Sequence, residues 1–198
     1  MMSSAPVIIA SGLPRSGTSM AMALLQAAGI ELVTDGVREA DEDNLGGYFE
    51  YEAVKGIRSD ISWVYAARGK GVKVISPSLY YLPHDLLYRV VFMRRDIGEI
   101  CASQEQMLKR SGRELQGERQ QVAQLMQRHL VDVEAWLAQH THMDVLFMEY
   151  GKVVEDPLSA CRMLVDFLSL SADPKDMVGS VKAGYYRQRA GVSKGDIR

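Results

Sequence analysis

The sequence predicts an α/β fold in which a parallel sheet carries helices on both faces. Short apolar runs rich in β-branched residues alternate with segments of helical periodicity, which is the pattern of strands joined by crossover helices. The first apolar run ends in a glycine-containing loop that opens a helix. A length of 198 residues suits one domain over residues 1–198 with a core of ordinary size.

The composition is that of a soluble globular protein, with 47% hydrophobic and 24% charged residues. The net charge of −2 gives no indication of a nucleic-acid partner. We see no targeting segment and no apolar run long enough for a membrane span, so we expect a cytoplasmic protein. Cys101 and Cys161 are predicted to be buried thiols, and neither cysteines nor histidines show the spacing of a metal site.

The elements follow from local patterns and capping signals. Asp96 and Asp156 are predicted helix N-caps, and Gly29 is a predicted helix end. The predicted strands are residues 7–11, 72–75, 89–93 and 144–148. The predicted helices are residues 17–28, 51–68 (interrupted near Gly56), 96–110, 114–139, one that begins at Pro157, and a short one after Pro174.

The loop after the first strand has the spacing of a phosphate-binding loop. Residues 12–19 read GLPRSGTS, a G-x-x-x-x-G frame followed by two hydroxyl residues. Glycines let backbone N–H groups point inward, and the next helix adds its positive end. This loop predicts a P-loop NTPase-like three-layer sandwich. Nucleotide triphosphatases have Lys where this chain has Thr18, which argues against a kinase or nucleotide hydrolase, although that alternative and a non-catalytic nucleotide-binding protein stay open.

Residues 13–19 (LPRSGTS) resemble the 5′-phosphosulfate loop of sulfotransferases, P-[KR]-S-G-T-[ST]. The version with Pro-Arg is most similar to bacterial and tyrosylprotein sulfotransferases. The resemblance implies 3′-phosphoadenylyl sulfate (PAPS) as sulfuryl donor, 3′,5′-adenosine bisphosphate (PAP) as product, and no metal. The residues it assigns to the donor's 5′ side are Pro14, Arg15, Ser16, Gly17, Thr18 and Ser19.

A second stretch resembles the 3′-phosphate motif of the same family, R-x-P-x-D-x-x-x-S. Arg95 and Ser103 stand eight residues apart as in that motif, with Ile97 and Glu99 in place of its Pro and Asp. The resemblance assigns the 3′-phosphate to Arg95 and Ser103. The basic tail at residues 185–198 resembles a late R-K-G…G-D loop, so Arg187 and Arg189 are further candidates for donor binding.

The candidates for catalysis come from the demands of sulfuryl transfer, which needs positioning and charge stabilisation. We expect Arg15 to neutralise the leaving phosphate and Lys73 to assist at the bridging oxygen. The resemblance places Ser76 where cytosolic members carry a catalytic His, so the base must lie elsewhere. Tyrosylprotein and heparan sulfotransferases use a Glu in a segment after the first helix, and by that resemblance Glu50 or Asp43 is the predicted general base. His129 lies on the apolar seam of a helix and is predicted to be a packed histidine.

The acceptor substrate is the feature of the reaction that the sequence determines least. Residues 31–50 are acidic and contain glycines, and we expect them to form a lid loop on the acceptor side. An acidic lid favours a neutral or cationic hydroxyl or amine over a strongly anionic acceptor. The acceptor's identity stays open between a small molecule, a glycan and a peptide. A homodimer is possible.

Overall fold

The fold is a five-stranded sheet in which every paired strand is parallel. A computed structural model describes residues 5–36, 47, 49–113 and 117–181. The strand order is β2-β3-β1-β4-β5. The strands are β1 Val7–Gly12, β2 Leu32–Val33, β3 Gly71–Lys73, β4 Tyr88–Arg94 and β5 Met143–Glu149. The predicted α/β class with a parallel sheet is confirmed.

Helices connect the strands and cover the sheet. The α-helices are α1 Thr18–Ala27, α2 Ser62–Ala66, α3 Ile97–Arg110, α4 Arg119–Gln139, α5 Tyr150–Glu155, α6 Pro157–Leu168 and α7 Pro174–Met177. Short 3₁₀ segments lie at Glu52–Gly56, Ser76–Tyr81 and Val178–Ser180. Among the described residues, no helix combines the length and the apolar character that a membrane crossing requires.

Two hydrophobic cores lie on opposite faces of the sheet because side chains alternate along each strand. One core joins Ile9, Val72 and Phe92 of the strands to Val133 and Leu137 of α4. We call this side the α4 face. The other core joins Ile8, Ala10 and Val91 to residues of α1 and α6, and we call it the α1 face. Helices therefore cover both faces, as the alternating sequence pattern predicts.

Local capping explains several element ends. Asp96 accepts a hydrogen bond from the Glu99 N–H at 3.0 Å, and Asp156 accepts one from the Ser159 N–H at 3.0 Å. Both predicted N-caps are confirmed, and Gly29 follows α1 with a φ of 82°, the left-handed conformation typical of a residue just past a helix end. Cys101 and Cys161 are free and buried, as predicted.

The prediction of a helix over residues 51–68 with an interruption near Gly56 is confirmed at the interruption, but the helical parts are much shorter than predicted. The segment forms a 3₁₀ turn at Glu52–Gly56 and then the short α2, with Ile57 buried between them. The Asp60 carboxylate accepts from the Ser62 N–H at 2.8 Å and thereby starts a new helix inside the predicted one. Strand β2 was also missed, and it occupies Leu32–Val33 of the predicted lid loop; residues 37–46 and 48 of that loop lie outside the described residues.

Candidate phosphate-binding site

The glycine loop lies at the carboxyl edge of the sheet, between the end of β1 and the start of α1. β1 is flanked by β3 on one side and β4 on the other. The chain first builds the β2 and β3 side and then crosses to the β4 and β5 side, so the strand order reverses at β1. In open α/β sheets, ligands bind in the crevice at this reversal.

The conformation of the loop explains its two glycines. Gly12 has a φ of 137° and Gly17 a φ of 107°, values that side chains disfavour. A Cβ atom on Gly12 would lie 2.5 Å from the Met93 carbonyl oxygen, and one on Gly17 would lie 2.4 Å from Tyr150 Cδ2. The loop backbone therefore lies directly against β4 and the Tyr150 ring, with no room for side chains at either glycine.

A buried hydroxyl inside the loop has no hydrogen-bond partner. Ser16 is 1% exposed, and its Oγ makes no hydrogen bond. An unsatisfied buried polar group costs about 1–3 kcal/mol. An anion at the start of α1 would accept from this hydroxyl and from nearby backbone N–H groups. The loop therefore fits a phosphate group.

The two predicted phosphate motifs meet in space. The Arg15 Nε donates to the Ser103 Oγ at 3.0 Å, and the Arg95 Nη1 donates to the Arg15 carbonyl oxygen at 3.2 Å. Ser103 is 8% exposed, so this contact is largely shielded from solvent. The residues that the sequence assigned to the two ends of one ligand are thus joined by hydrogen bonds, one between side chains and one to the Arg15 backbone.

Arg95 is held by two groups that the sequence did not assign to the site. Its Nε donates to Glu99 Oε2 at 2.9 Å, and both side chains are nearly buried, at 7% and 5% exposure. Its guanidinium carbon lies 4.5 Å from the centre of the Tyr150 ring. Burial raises the pKa of the Tyr150 phenol, so that the group stays neutral beside the arginine. In the sequence, Glu99 stands out only by its place in the spacing of the second motif.

Solved structures share this fold. A sulfotransferase from Alicyclobacillus acidocaldarius matches with a TM-score of 0.50 at 16% sequence identity, over 85% of this chain and 82% of that one. The chain has the fold of a sulfotransferase. Retinol dehydratase, crystallised with androsterone and the inactive cofactor PAP, matches with a TM-score of 0.52 at 17% identity. That match covers 93% of this chain but 65% of the length of retinol dehydratase. No protein-family model and no curated protein matches the sequence.

Within this sulfotransferase fold, Lys73 and Glu50 form an ion pair. Their Nζ and Oε1 atoms are 3.8 Å apart, and the Lys73 side chain is 9% exposed. Lys73 pairs in register with Ala10, two residues before the loop begins, so the pair lies close to the carboxyl edge of β1. The other predicted site residues Asp43, Arg187 and Arg189 lie outside the described residues. Among the residues that the structure describes, no group of three or more His, Cys, Asp or Glu side chains could hold a metal ion.

Sequence reasoning missed a contact between Ser76 and His129. The Ser76 Oγ and the His129 Nε2 are 2.8 Å apart, although 53 positions separate the residues. His129 does lie on the inner side of α4, and its ring meets the Tyr80 ring edge-on at 6.2 Å. It is half-buried, however, and hydrogen-bonded, so the description as a packed histidine is incomplete. No local pattern links a serine after β3 to a histidine on α4.

Proposed function

We propose that this protein transfers a sulfuryl group from PAPS to a hydroxyl or amine of an acceptor. The observation that carries the proposal is the convergence of Arg15, Ser103 and Arg95 beside the glycine loop. A donor with phosphates at both its 5′ and 3′ positions needs two cationic sites at a fixed separation. Two arginines on one continuous hydrogen-bonded group supply that arrangement.

The loop residues would hold the 5′ side of the donor. Ser16 offers a buried hydroxyl without a partner, and Gly17 allows close approach of the backbone at the start of α1. Thr18 and Ser19 add hydroxyls in the first turn of that helix, and Pro14 lies in the preceding turn. Arg95 and Ser103 would hold the 3′-phosphate, with Arg187 and Arg189 as further candidates.

The chemistry would depend on charge placement. The donor supplies an activated sulfuryl group whose departure leaves charge on a phosphate. We assign neutralisation of that charge to Arg15, whose guanidinium is fixed by Ser103. Lys73 would assist at the same oxygen. Glu50 is paired with Lys73, which favours a role in placing the ammonium group. The predictions that Glu50 or Asp43 takes the acceptor's proton stay predictions.

The comparisons support the donor more than the acceptor. Retinol dehydratase, which shares the fold, was crystallised with PAP and with the small molecule androsterone. This favours PAP as product and a small-molecule acceptor for the present chain, with glycans and peptides as alternatives. A cytoplasmic location and a homodimer also stay predictions.

The experiment is a binding screen followed by a transfer assay. Calorimetry with PAP, AMP and ATP, each with and without magnesium, measures which nucleotide the loop prefers. We expect tight, metal-independent binding of PAP, and transfer of labelled sulfate from PAPS to at least one member of a panel of phenols, alcohols and amines. Preference for ATP with magnesium would instead favour a kinase or hydrolase. PAP binding without any turnover would favour a non-catalytic binding protein.

A further inference from the structure

Ser76 lies at the same edge of the sheet as the glycine loop. The Val74 N–H donates to the Ala10 carbonyl at 3.0 Å, which extends the pairing of β3 with β1 beyond Lys73. Lys73 is in register with Ala10, so Ser76, three residues further on, comes level with Leu13 of the loop. Neighbouring strands are about 4.8 Å apart, so Ser76 lies beside the start of the loop. Its side chain is fully buried.

Helix α4 brings His129 to this edge. The Glu134 carboxylate accepts from Arg94 Nε at 2.8 Å and from Arg94 Nη2 at 2.6 Å, which fixes α4 to the carboxyl end of β4. The C-terminal end of α4 leads toward the amino end of β5, so residues earlier in the helix lie further toward the carboxyl edge. His129 precedes Glu134 by five residues, a rise of about 7.5 Å along the helix, so it lies beyond the carboxyl edge.

The surroundings of the His129 ring suit a general base. Nε2 contacts Ser76, and among the described residues Nδ1 has no hydrogen-bond partner. The groups that face the ring are Tyr80 from the segment after β3 and Asp132 from α4 itself. Burial lowers the pKa of the His129 imidazole, and the Asp132 charge opposes that shift to a smaller extent. Burial also raises the pKa of Tyr80, so that phenol stays neutral beside the ring.

We propose that His129 is the general base of the reaction and that Ser76 is its positioning residue. The inference rests on the proposed sulfuryl transfer. The acceptor's O–H or N–H proton passes to Nδ1 while the acceptor atom forms its bond to sulfur. The bond between sulfur and the bridging phosphate oxygen breaks, and that oxygen keeps the electron pair. The imidazolium donates from Nε2 to Ser76 Oγ and then releases its new proton to solvent.

This assignment places the base on the α4 face, apart from the Lys73–Glu50 pair. Lys73 is in register with Ala10, which packs on the α1 face, whereas Val72 and Val74 pack on the α4 face ahead of Ser76. The Glu50 carboxylate has the Lys73 ammonium 3.8 Å away, so it is already engaged in an ion pair. The lone pair of a neutral imidazole is not engaged in an ion pair of this kind.

The decisive variants are His129→Gln and Ser76→Ala, with His84→Gln as the matched control. His84 is exposed and lies near the amino edge of the sheet, where its ring is 5.2 Å from that of His142. PAP affinity is measured by calorimetry. Turnover is measured with labelled PAPS, both as transfer to the acceptor panel and as sulfate release to water.

We expect His129→Gln to lower turnover about 10²- to 10⁴-fold with PAP affinity unchanged, and His84→Gln to change neither. Turnover of the unaltered protein should rise with pH through the His129 pKa and then level off, and His129→Gln should lack this rise. Unchanged turnover or an unchanged pH profile in His129→Gln would overturn the assignment. Binding of PAP by the unaltered protein without transfer or sulfate release would also overturn it. Failure of the unaltered protein to bind PAP would overturn the proposed function itself.

A second readout does not depend on activity. The imidazole signals of His129, identified by their absence in His129→Gln, give its pKa by NMR titration. Ser76 accepts from the charged ring, and hydrogen bonds to charged groups are the stronger ones, so Ser76→Ala should lower this pKa further. An unchanged or raised pKa would show that Ser76 does not stabilise the imidazolium and would overturn its positioning role.

Discussion

The guanidinium of Arg15 donates from Nε to the Ser103 hydroxyl at 3.0 Å, although 88 positions separate the two residues. Arg15 has a φ of 72°, a left-handed conformation that is strained for a residue with a side chain. The loop therefore holds Arg15 in a fixed place before any ligand binds. A preorganised cation avoids reorganisation when charge develops in a reaction.

The first prediction concerns the 3′-phosphate. The protein should bind PAP at least about ten- to a hundredfold more tightly than AMP, because an arginine–phosphate contact adds charge-assisted hydrogen bonds. Ser103→Ala should reduce this preference, with a smaller loss of AMP affinity because Ser103 also holds the Arg15 guanidinium. Ser111→Ala is the matched control, since Ser111 follows the same helix and its hydroxyl donates to the Leu108 carbonyl. Equal affinity for PAP and AMP in the unaltered protein would refute the 3′-phosphate assignment.

The second prediction concerns Arg15. Arg15→Ala should cut turnover more than donor affinity, with a loss of about 2–4 kcal/mol in the barrier, because its charge matters most as the leaving phosphate gains charge. Arg15→Gly removes the same side chain and also relieves the left-handed strain. It should be as inactive as Arg15→Ala but more stable by about 1 kcal/mol. Turnover near that of the unaltered protein with weakened PAP binding would reduce Arg15 to a positioning contact.

The third prediction separates strain from crowding in the loop. Gly17 and Gly29 both have positive φ, at 107° and 82°, but only Gly17 has a neighbour within 4 Å of an added Cβ. Gly29→Ala should lower the unfolding free energy by about 1–2 kcal/mol through backbone strain. Gly17→Ala should lower it further and weaken PAP binding, because the Cβ would displace Tyr150. Urea denaturation measures the unfolding free energy, and calorimetry measures PAP binding. Equal losses of unfolding free energy in the two variants would show that the Tyr150 ring moves aside at no cost.

The fourth prediction concerns the Lys73–Glu50 pair. Lys73→Met should lower turnover while PAP affinity changes less. If Glu50 only places Lys73, Glu50→Gln should cause a smaller loss and keep the shape of the pH profile. A loss of about 10²- to 10⁴-fold with retained donor affinity would make Glu50 the base that the sequence predicts. Asp43→Asn in the same assay tests the other acidic candidate.

The sequence predicts the fold well where local signals are strong. The apolar runs of β1 and β4 and the capping aspartates Asp96 and Asp156 define their elements without tertiary information. Strand β2 has two residues, too few to show any alternation. The helical pattern of residues 51–68 was broken by Asp60, whose side chain competes for the backbone.

The site also contains residues that local sequence places and residues that only tertiary packing places. Arg95 and Ser103 lie on one strand–helix unit, so their spacing along the chain fixes their placement, and a motif can encode it. The contact between Ser76 and His129 exists only because α4 packs against the segment after β3. Such a contact depends on tertiary packing, which residue spacing does not encode.

The last prediction concerns stability at acidic pH. The rings of His84, His140 and His142 lie 5.2–5.5 Å apart near the amino edge of the sheet. Burial lowers the pKa of His142 below its model-peptide value of 6.5, and charges on His84 and His140 lower it further. Burial also lowers the pKa of His129. Below about pH 6.5 the unfolded chain therefore binds more protons than the folded protein, and stability must fall as the pH falls through this range.

Urea denaturation at pH values from about 7.5 to about 5.5 measures this dependence, since carboxyl groups titrate mainly below that window. The unfolding free energy should decrease steadily on acidification. His84→Gln removes one repelling charge from His142 and should make the decrease shallower. Lys55→Gln, which alters an exposed ion pair with Glu52, should leave the slope unchanged. A stability that stays constant or rises on acidification would mean that these histidines are solvated and titrate as in the unfolded chain.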